Sequence, residues 1–242
     1  MSDWKRHLYE RYVSSGQAAL DVARGSQPSL ANYPYYRQVV NRYLPQNKDI
    51  AVADVACGHG ALLHCLRHVG YRNLSGVDVS LEQVALAHRL GVTEAHHGDM
   101  GEFLVRNPAA FDVVFLMDIL EHLERGDLLQ TLRLVSGSLK DDGRVIIHVP
   151  NAEGLFGMRI RYGDLTHENC FTPQSIQQAL VSSGFGRIKC YEDKPIIHGL
   201  NSFVRFLVWQ LLTIPPRLLL LAETGRANHI LSQNMLVVAQ KP

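Results

Sequence analysis

The chain has 242 residues, 46% hydrophobic and 19% charged, with a formal net charge of +1 at pH 7. That composition excludes a disordered chain, and the length suits one α/β domain with extensions rather than two full domains. A charge this near zero, with scattered arginines and no basic stripe carrying interleaved aromatics, supplies no field for DNA or RNA; no nucleic-acid partner is expected.

Cys57, Cys65, Cys170 and Cys190 form no C-x-x-C pair and no zinc-ligand spacing, so they read as reduced thiols of a cytoplasmic protein. No apolar run follows the charges at the N-terminus, so no secretory signal is expected. In chain order, Leu8, Tyr9, Tyr12 and Val13 share a helical face, and Tyr33 to Leu44 reads as a second helix ending before Pro45. Residues 1–46 form an N-terminal helical cap in this reading, either a covering layer or a lid, with Tyr12 as a candidate substrate contact.

Residues 47–242 make the main domain, and it is organised around one stretch. Ile50 to Val55 are mostly small or β-branched, as in a strand covered on both faces. Gly58 and Gly60 then give a tight turn, and Leu62, Leu63, Leu66 and Val69 follow at helical spacing up to Gly70. Strand, glycine turn and helix bring unpaired helix N–H groups beside a ligand. A second strand ends at Asp78, and Ser80 with Gln83 predicts a capping box for the next helix. A weak strand at 93–97 precedes Gly98-Asp99-Met100 and a short helix near Phe103. Phe111 to Met117 is a strong strand running into Asp118-Ile119-Leu120-Glu121-His122-Leu123, and Leu128 to Val135 is helical. Asp141-Asp142-Gly143 predicts a turn before a fifth strand at 144–149. A long polar loop occupies 150–172, Thr172-Pro173 starts a helix, and strands are expected at 188–191 and 235–239.

Strands alternating with helices at this pitch predict a doubly wound, Rossmann-like sheet of about seven mostly parallel strands, with an apolar helical insertion at 200–224. Ligands bind such sheets at the carboxyl ends of the strands, where Asp54, Asp78, Asp99, Asp118, His122 and Asn151 all fall. A dinucleotide fingerprint would need a small residue where Leu63 stands, which argues against a nicotinamide-dependent oxidoreductase.

Asp54-Val55-Ala56-Cys57-Gly58-His59-Gly60 resembles the first motif of class I S-adenosylmethionine-dependent methyltransferases, with Ala56 in place of the first glycine. Gly76-Val77-Asp78-Val79-Ser80, Gly98-Asp99-Met100 and the Asp118–Leu123 segment continue the likeness in the family's order. The resemblance implies S-adenosylmethionine as cofactor and a methyl-transfer activity. By the same resemblance, Asp54, Ala56, Gly58 and Gly60 would shape the loop against the methionine part, and Asp78, beside Val79, would accept from the ribose hydroxyls. Asp99 would accept from the adenine amino group, with Met100 on the ring and Met117 and Asp118 along the other edge.

A hydroxyl acceptor needs a base near pH 7, and His122, His148 and His167 lie at the right face. His148 alternates within a strand and reads as a core histidine. His167, next to Asp164 and Glu168, is the preferred base, and His122 is a candidate for shaping the acceptor site. Asn151, Arg161 and Tyr162 are candidate acceptor contacts on the long loop. That loop resembles one in bacterial methyltransferases of surface-polysaccharide and glycolipid pathways. No metal site is expected from the spacing of ligand residues.

The apolar run 203–221 is interrupted by Pro215-Pro216, carries Arg205 and Arg217, and falls between two strands of one sheet. A membrane span is therefore not expected; peripheral contact with a membrane's inner face, or a homodimer interface, is. The acceptor is read as a sugar hydroxyl or a lipid-linked or otherwise amphipathic small molecule. A quinone-type phenol is the alternative, and a non-catalytic nucleotide-binding protein the reading from another class.

Overall fold

The computed structural model describes residues 33–242. The expected helix at 8–13 and the candidate contact Tyr12 lie outside the described residues.

The described residues open with α1 (Tyr33–Tyr43) and then alternate: β1 (Ala51–Val55), α2 (Ala61–Val69), β2 (Asn73–Asp78), α3 (Leu81–Arg89), β3 (Ala95–His97) and α4 (Met100–Arg106). The chain continues through β4 (Phe111–Met117), a 3-10 turn (Leu120–His122), α5 (Arg125–Ser138), β5 (Leu139–Pro150), α6 (Gly157–Arg161), α7 (Pro173–Ser182) and β6 (Gly186–Glu192). Two apolar helices, α8 (Leu200–Leu212) and α9 (Ile214–Thr224), precede β7 (Asn234–Gln240).

The strands form one sheet in the order β3-β2-β1-β4-β5-β7-β6. The neighbours from β3 to β5 pair in parallel, whereas β7 lies antiparallel between β5 and β6. Alternation in the strands sends one set of side chains to each face. On one face Val114, Leu116, Val145 and Ile147 meet Leu104 of α4, Leu132 and Val135 of α5, and Ile176 and Leu180 of α7. On the other, Val52, Val113, Phe115 and Ile146 meet Leu62 and Leu66 of α2 and Val39 and Val40 of α1. Thus α1 is built into the core layer beside α2.

Leu63, too large for the close helix–strand approach of a dinucleotide fold, is accommodated from the strand side. It is fully buried, and a Cβ on Gly76 of β2 would stand 2.6 Å from its Cδ1. Gly76 supplies the missing room.

Two local expectations change in detail. The turn at 141–143 is an excursion inside β5: Phe111 pairs with Leu139 and Val113 with Arg144, so β5 carries three extra residues there, with Asp142 at a φ of 60°. The capping box at α3 is half made. Ser80 Oγ accepts from the Gln83 N–H at 3.4 Å, but the Ser80 N–H goes to Asp78 Oδ1 at 2.8 Å, leaving the Gln83 side chain for another use.

The order β3-β2-β1-β4 places the topological switch between β1 and β4. The residue one past each of these strands, Ala56 and Asp118, has a left-handed backbone, with φ of 60° and 54°. At Ala56 glycine would relieve that strain. Ala56→Gly is expected to raise stability by about 0.5–1 kcal/mol, less than the full left-handed penalty because glycine also loses more chain entropy on folding. Urea unfolding checks this.

Candidate active site

A cleft of about 520 Å³ opens at the carboxyl ends of β1, β2 and β4. Its wall includes Ala56, Gly58, Asp78, Val79, Asp99, Met100, Met117, Asp118 and His122, all singled out from sequence. Asp54 and Gly60 support it from behind. Asp54 is buried in β1 at 2% exposure, and Gly60, at a φ of 78°, caps the start of α2. Among the lining groups that the sequence reading did not assign to the site is Gln83. Its Oε1 is buried without a hydrogen-bond partner, and a Cβ on Gly58 would stand 3.9 Å from it. The only signal was its place one turn into α3, which also suits a cap.

Asp78 is the hub of the cleft. Its Oδ2 accepts the Gly58 N–H at 2.8 Å and its Oδ1 accepts that of Ser80 at 2.8 Å, so one carboxylate fixes both the glycine loop and the start of α3. Each oxygen keeps a further lone pair toward the cleft. Burial raises the Asp78 pKa above the usual carboxylate range, against the pull of those two backbone donors. Beneath it, burial and then the Asp78 charge push the Asp54 pKa up to about 8. Asp99 caps α4, its Oδ1 accepting the Glu102 N–H at 3.0 Å, so half of its carboxylate is already in structural use.

These residues fit S-adenosylmethionine. The glycine loop leaves Gly58 open to the cleft, Asp78 offers paired acceptors suited to a ribose diol, Met100 and Met117 give apolar walls, and Gln83 carries an acceptor with no protein partner.

Beyond Asp118 the cleft meets a second polar group. His148, buried in β5, sits between carboxylates: Nδ1 lies 2.5 Å from Asp118 Oδ1 and Nε2 3.3 Å from Asp193 Oδ2. Burial opposes its charge, but Asp118 and then Asp193 prevail and hold its pKa well above the usual histidine value. It is a charged brace within the core.

The long loop is closed at its base by Phe171 N–H to Pro150 O and Ala152 N–H to Phe171 O. It is pinned to the 3-10 turn where the Glu168 and Asn169 N–H groups donate to Glu121 O at 2.7 and 3.0 Å. This brings His167 to His122, their ring centroids 4.6 Å apart. Thr166 Oγ1 donates to Asp164 Oδ1 at 2.6 Å and so accepts from His122 Nδ1 at 2.8 Å; His167 Nδ1 donates to Ile160 O at 2.9 Å. Both rings then carry their lone pair on Nε2. The two hydrogen bonds from Thr166 keep the Asp164 pKa below its usual value despite partial burial. Glu121, 1% exposed, has Oε2 without a hydrogen-bond partner, and burial followed by the Asp118 charge raises its pKa well above normal.

Three candidate acceptor contacts do not reach this site. Asn151 is fully buried, its Nδ2 donating to Ile230 O and Ser232 O and its Oδ1 accepting from Glu153 N–H, so it satisfies backbone groups where the loop leaves β5. Arg161 commits its guanidinium to the carbonyls of His167 and Glu168. Tyr162 is 73% exposed, under the Arg161 guanidinium and outside the cleft wall.

The raised groups set a pH dependence. A buried acid with its pKa raised to about 8 costs the fold progressively more as pH climbs from the usual carboxylate range toward 8, and a histidine held protonated adds stability that is lost as pH rises through its folded pKa. Asp54 and His148 therefore act in one direction. The ligand-free protein is expected to melt at lower temperature at pH 8 than at pH 6, and Asp54→Asn to flatten that slope, as thermal unfolding across this range will show.

Known proteins share this fold and parts of this sequence. The sequence profile of a methyltransferase domain matches residues 30–188. A tRNA U34 carboxymethyltransferase from Desulfotalea psychrophila is 30% identical over 122 residues, covering 48% of this chain and 38% of that protein. A ubiquinone biosynthesis O-methyltransferase from Sodalis glossinidius is 33% identical over 105 residues, covering 41% of each. The chain thus spans less than half the length of these curated relatives. The crystal structure of a SAM dependent methyltransferase from Archaeoglobus fulgidus superposes with a TM-score of 0.64 at 22% identity, over 86% of this chain and 94% of that one. With the doubly wound sheet and the cleft at its switch point, the chain belongs to the class I S-adenosylmethionine-dependent methyltransferases.

Proposed function

We propose that this enzyme methylates a hydroxyl oxygen of an amphipathic small molecule, a sugar hydroxyl or a lipid-linked acceptor, at a membrane's inner face. The observation that carries this reading is the insertion between β6 and β7. Glu192 and Met235 are register partners, so the insertion leaves and rejoins the sheet at one point, at the carboxyl end of β6 and hence on the same edge as the cleft. Within it, Leu207, Leu211, Leu212, Leu218 and Leu219 are 49–70% exposed. The stretch Leu200–Thr224 is long and apolar enough to cross a membrane by length and composition. A single pass would put Glu192 and Met235 on opposite sides, which their pairing forbids; lying along the surface is consistent with it. Pro215 and Pro216 lack the N–H groups for the Leu211 and Leu212 carbonyls, and the helix breaks at Thr213 accordingly. Arg217 anchors the return, its Nη2 lying 2.6 and 2.7 Å from the Glu192 carboxylate and its Nη1 donating to His229 O.

In this reading His167, with His122 held by Thr166 and Asp164, receives the acceptor's hydroxyl proton, and Asp78 and Gln83 hold the cofactor. When bound, the cofactor supplies an activated methyl group, so the chain's own tasks are orientation, water exclusion and proton removal. A phenolic lipid is the second reading, favoured by the stretch shared with the ubiquinone biosynthesis O-methyltransferase. The net charge of +1 favours a small molecule over the RNA named for the tRNA-modifying relative.

The test pairs two measurements. The protein is expected to sediment with anionic phospholipid vesicles and to release them when Leu211 and Leu219 are both changed to glutamate. It is also expected to transfer labelled methyl from the cofactor into a hydroxyl of the lipid fraction. Transfer confined to water-soluble acceptors, without vesicle binding, would remove the membrane from the picture.

A further inference from the structure

The geometry points to a divalent transition-metal site formed by Glu121, His122 and His167, at the acceptor end of the cleft. This inference rests on the hydroxyl-acceptor reading above for its purpose but not for its geometry. One ligand-type atom from each residue lies within 4.8 Å of the other two. Sequence spacing conceals the group, because Glu121 and His122 lie on the turn after β4 whereas His167 comes from the long loop.

Three further features go beyond proximity. First, Glu121 Oε2 is buried with no hydrogen-bond partner, an expensive arrangement that a cation would relieve. Second, both histidines are oriented through the far nitrogen, His122 by Thr166 and Asp164, His167 by the Ile160 carbonyl. Metal-binding histidines are held in just this manner, which fixes the tautomer with the lone pair on Nε2. Third, the two ligand segments are fastened to each other rather than meeting by chance. The Glu168 and Asn169 N–H groups donate to Glu121 O, and Arg161 ties the His167 and Glu168 carbonyls.

Two imidazoles and a carboxylate suit zinc, manganese, iron(II) or cobalt, not the all-oxygen preference of magnesium and calcium. Around a tetrahedral ion with bonds of about 2.1 Å, ligand atoms stand roughly 3.4 Å apart, so the side chains need close by no more than about 1.4 Å. Three protein ligands leave a coordination position open. His122 also lines the cofactor cleft, so that position adjoins the methyl donor's site. An acceptor hydroxyl bound there gives up its proton more readily: the O–H bond breaks, the electron pair stays on the oxygen, and the proton passes to solvent. In this arrangement the cation does what a histidine base alone would otherwise do.

The test uses the full chain, stripped with chelator and dialysed against Co²⁺ or Zn²⁺, with bound metal measured by elemental analysis. One equivalent is expected, with visible cobalt absorption characteristic of four or five ligands. His167→Ala and Glu121→Gln are each expected to weaken binding at least tenfold, while S-adenosylhomocysteine affinity, measured by calorimetry, stays within about twofold and reports an intact fold. Should either variant misfold, the wild-type stoichiometry and cobalt spectrum decide. Absence of stoichiometric metal in the wild type, or retention of it in folded His167→Ala and Glu121→Gln proteins, would overturn the inference. Metal binding without transfer to any hydroxyl acceptor would instead remove the proposed substrate class and leave the site standing.

Discussion

Replacing Asp78 with alanine is expected to weaken S-adenosylhomocysteine binding by roughly 100- to 1,000-fold. The carboxylate accepts the Gly58 and Ser80 N–H groups, each at 2.8 Å, and faces the cleft beside them. Its loss therefore removes hydrogen bonds to the ligand and relaxes the loop that shapes the site. Two charge-assisted bonds at about 1.5–2 kcal/mol each, the lower end for such bonds, account for that range, since about 1.4 kcal/mol is tenfold in affinity. Stability should change far less. Burial raises the Asp78 pKa, so at pH 7 this acid is a cost to the ligand-free fold, offsetting what its two backbone bonds contribute. Asp78→Asn should be no rescue, because its NH₂ group would face one of the two backbone donors. Calorimetry alongside thermal melting separates the effects, and affinity within threefold of wild type would refute the role given to Asp78.

The second large effect belongs to Gly60. Its φ is 78°, and an added Cβ would stand 2.7 Å from Val92 Cγ1 and 3.2 Å from Val92 Cβ. Left-handed strain costs an alanine about 1–2 kcal/mol, and overpacking against a fully buried valine adds about 1–3 kcal/mol. Gly60→Ala is expected to lose about 3 kcal/mol of stability and to bind S-adenosylhomocysteine at least tenfold more weakly, because the start of α2 must shift. At Gly58, which meets only Gln83 at 3.9 Å, the same change should cost only the backbone term. Comparing the two variants by denaturant unfolding isolates the contribution of Val92. Equal destabilisation would show that packing behind the loop is unimportant.

Much of this site follows from local rules. Hydrophobic runs mark β1 and β4, glycines mark the turn after β1, and polar residues just past strand ends in a doubly wound sheet point to the ligand edge. Ala56 is legible only through the family resemblance, which puts it in place of a glycine; its left-handed backbone shows why a small residue stands there. What escapes is anything that depends on two distant segments at once. Leu63 argues against a close helix–strand contact until Gly76 is seen to make room for it. Asn151 has the residue type and position of a ligand contact, yet serves the carbonyls of Ile230 and Ser232. A buried amide satisfying main chain and one awaiting a substrate look alike in sequence. Gln83 is the converse case, a capping residue by pattern whose side chain is left to the cleft. The antiparallel entry of β7 between β5 and β6 is likewise invisible to periodicity, which reports which faces are buried but not direction.

The pairing of Glu192 with Met235 has a consequence for how such a chain diversifies. Because the insertion starts and finishes at adjacent points, the β6–β7 ladder closes on itself like an ordinary hairpin, whatever length of chain is looped out between its ends. Apolar helices can be lengthened or exchanged without disturbing strand register or the cofactor cleft, provided the segment at 230–232 still serves Asn151 and a cation in the place of Arg217 still pairs with Glu192. The exposed apolar insertion is thus decoupled from the part of the enzyme that holds its chemistry. A lineage could change what this exposed segment meets by rewriting a single loop.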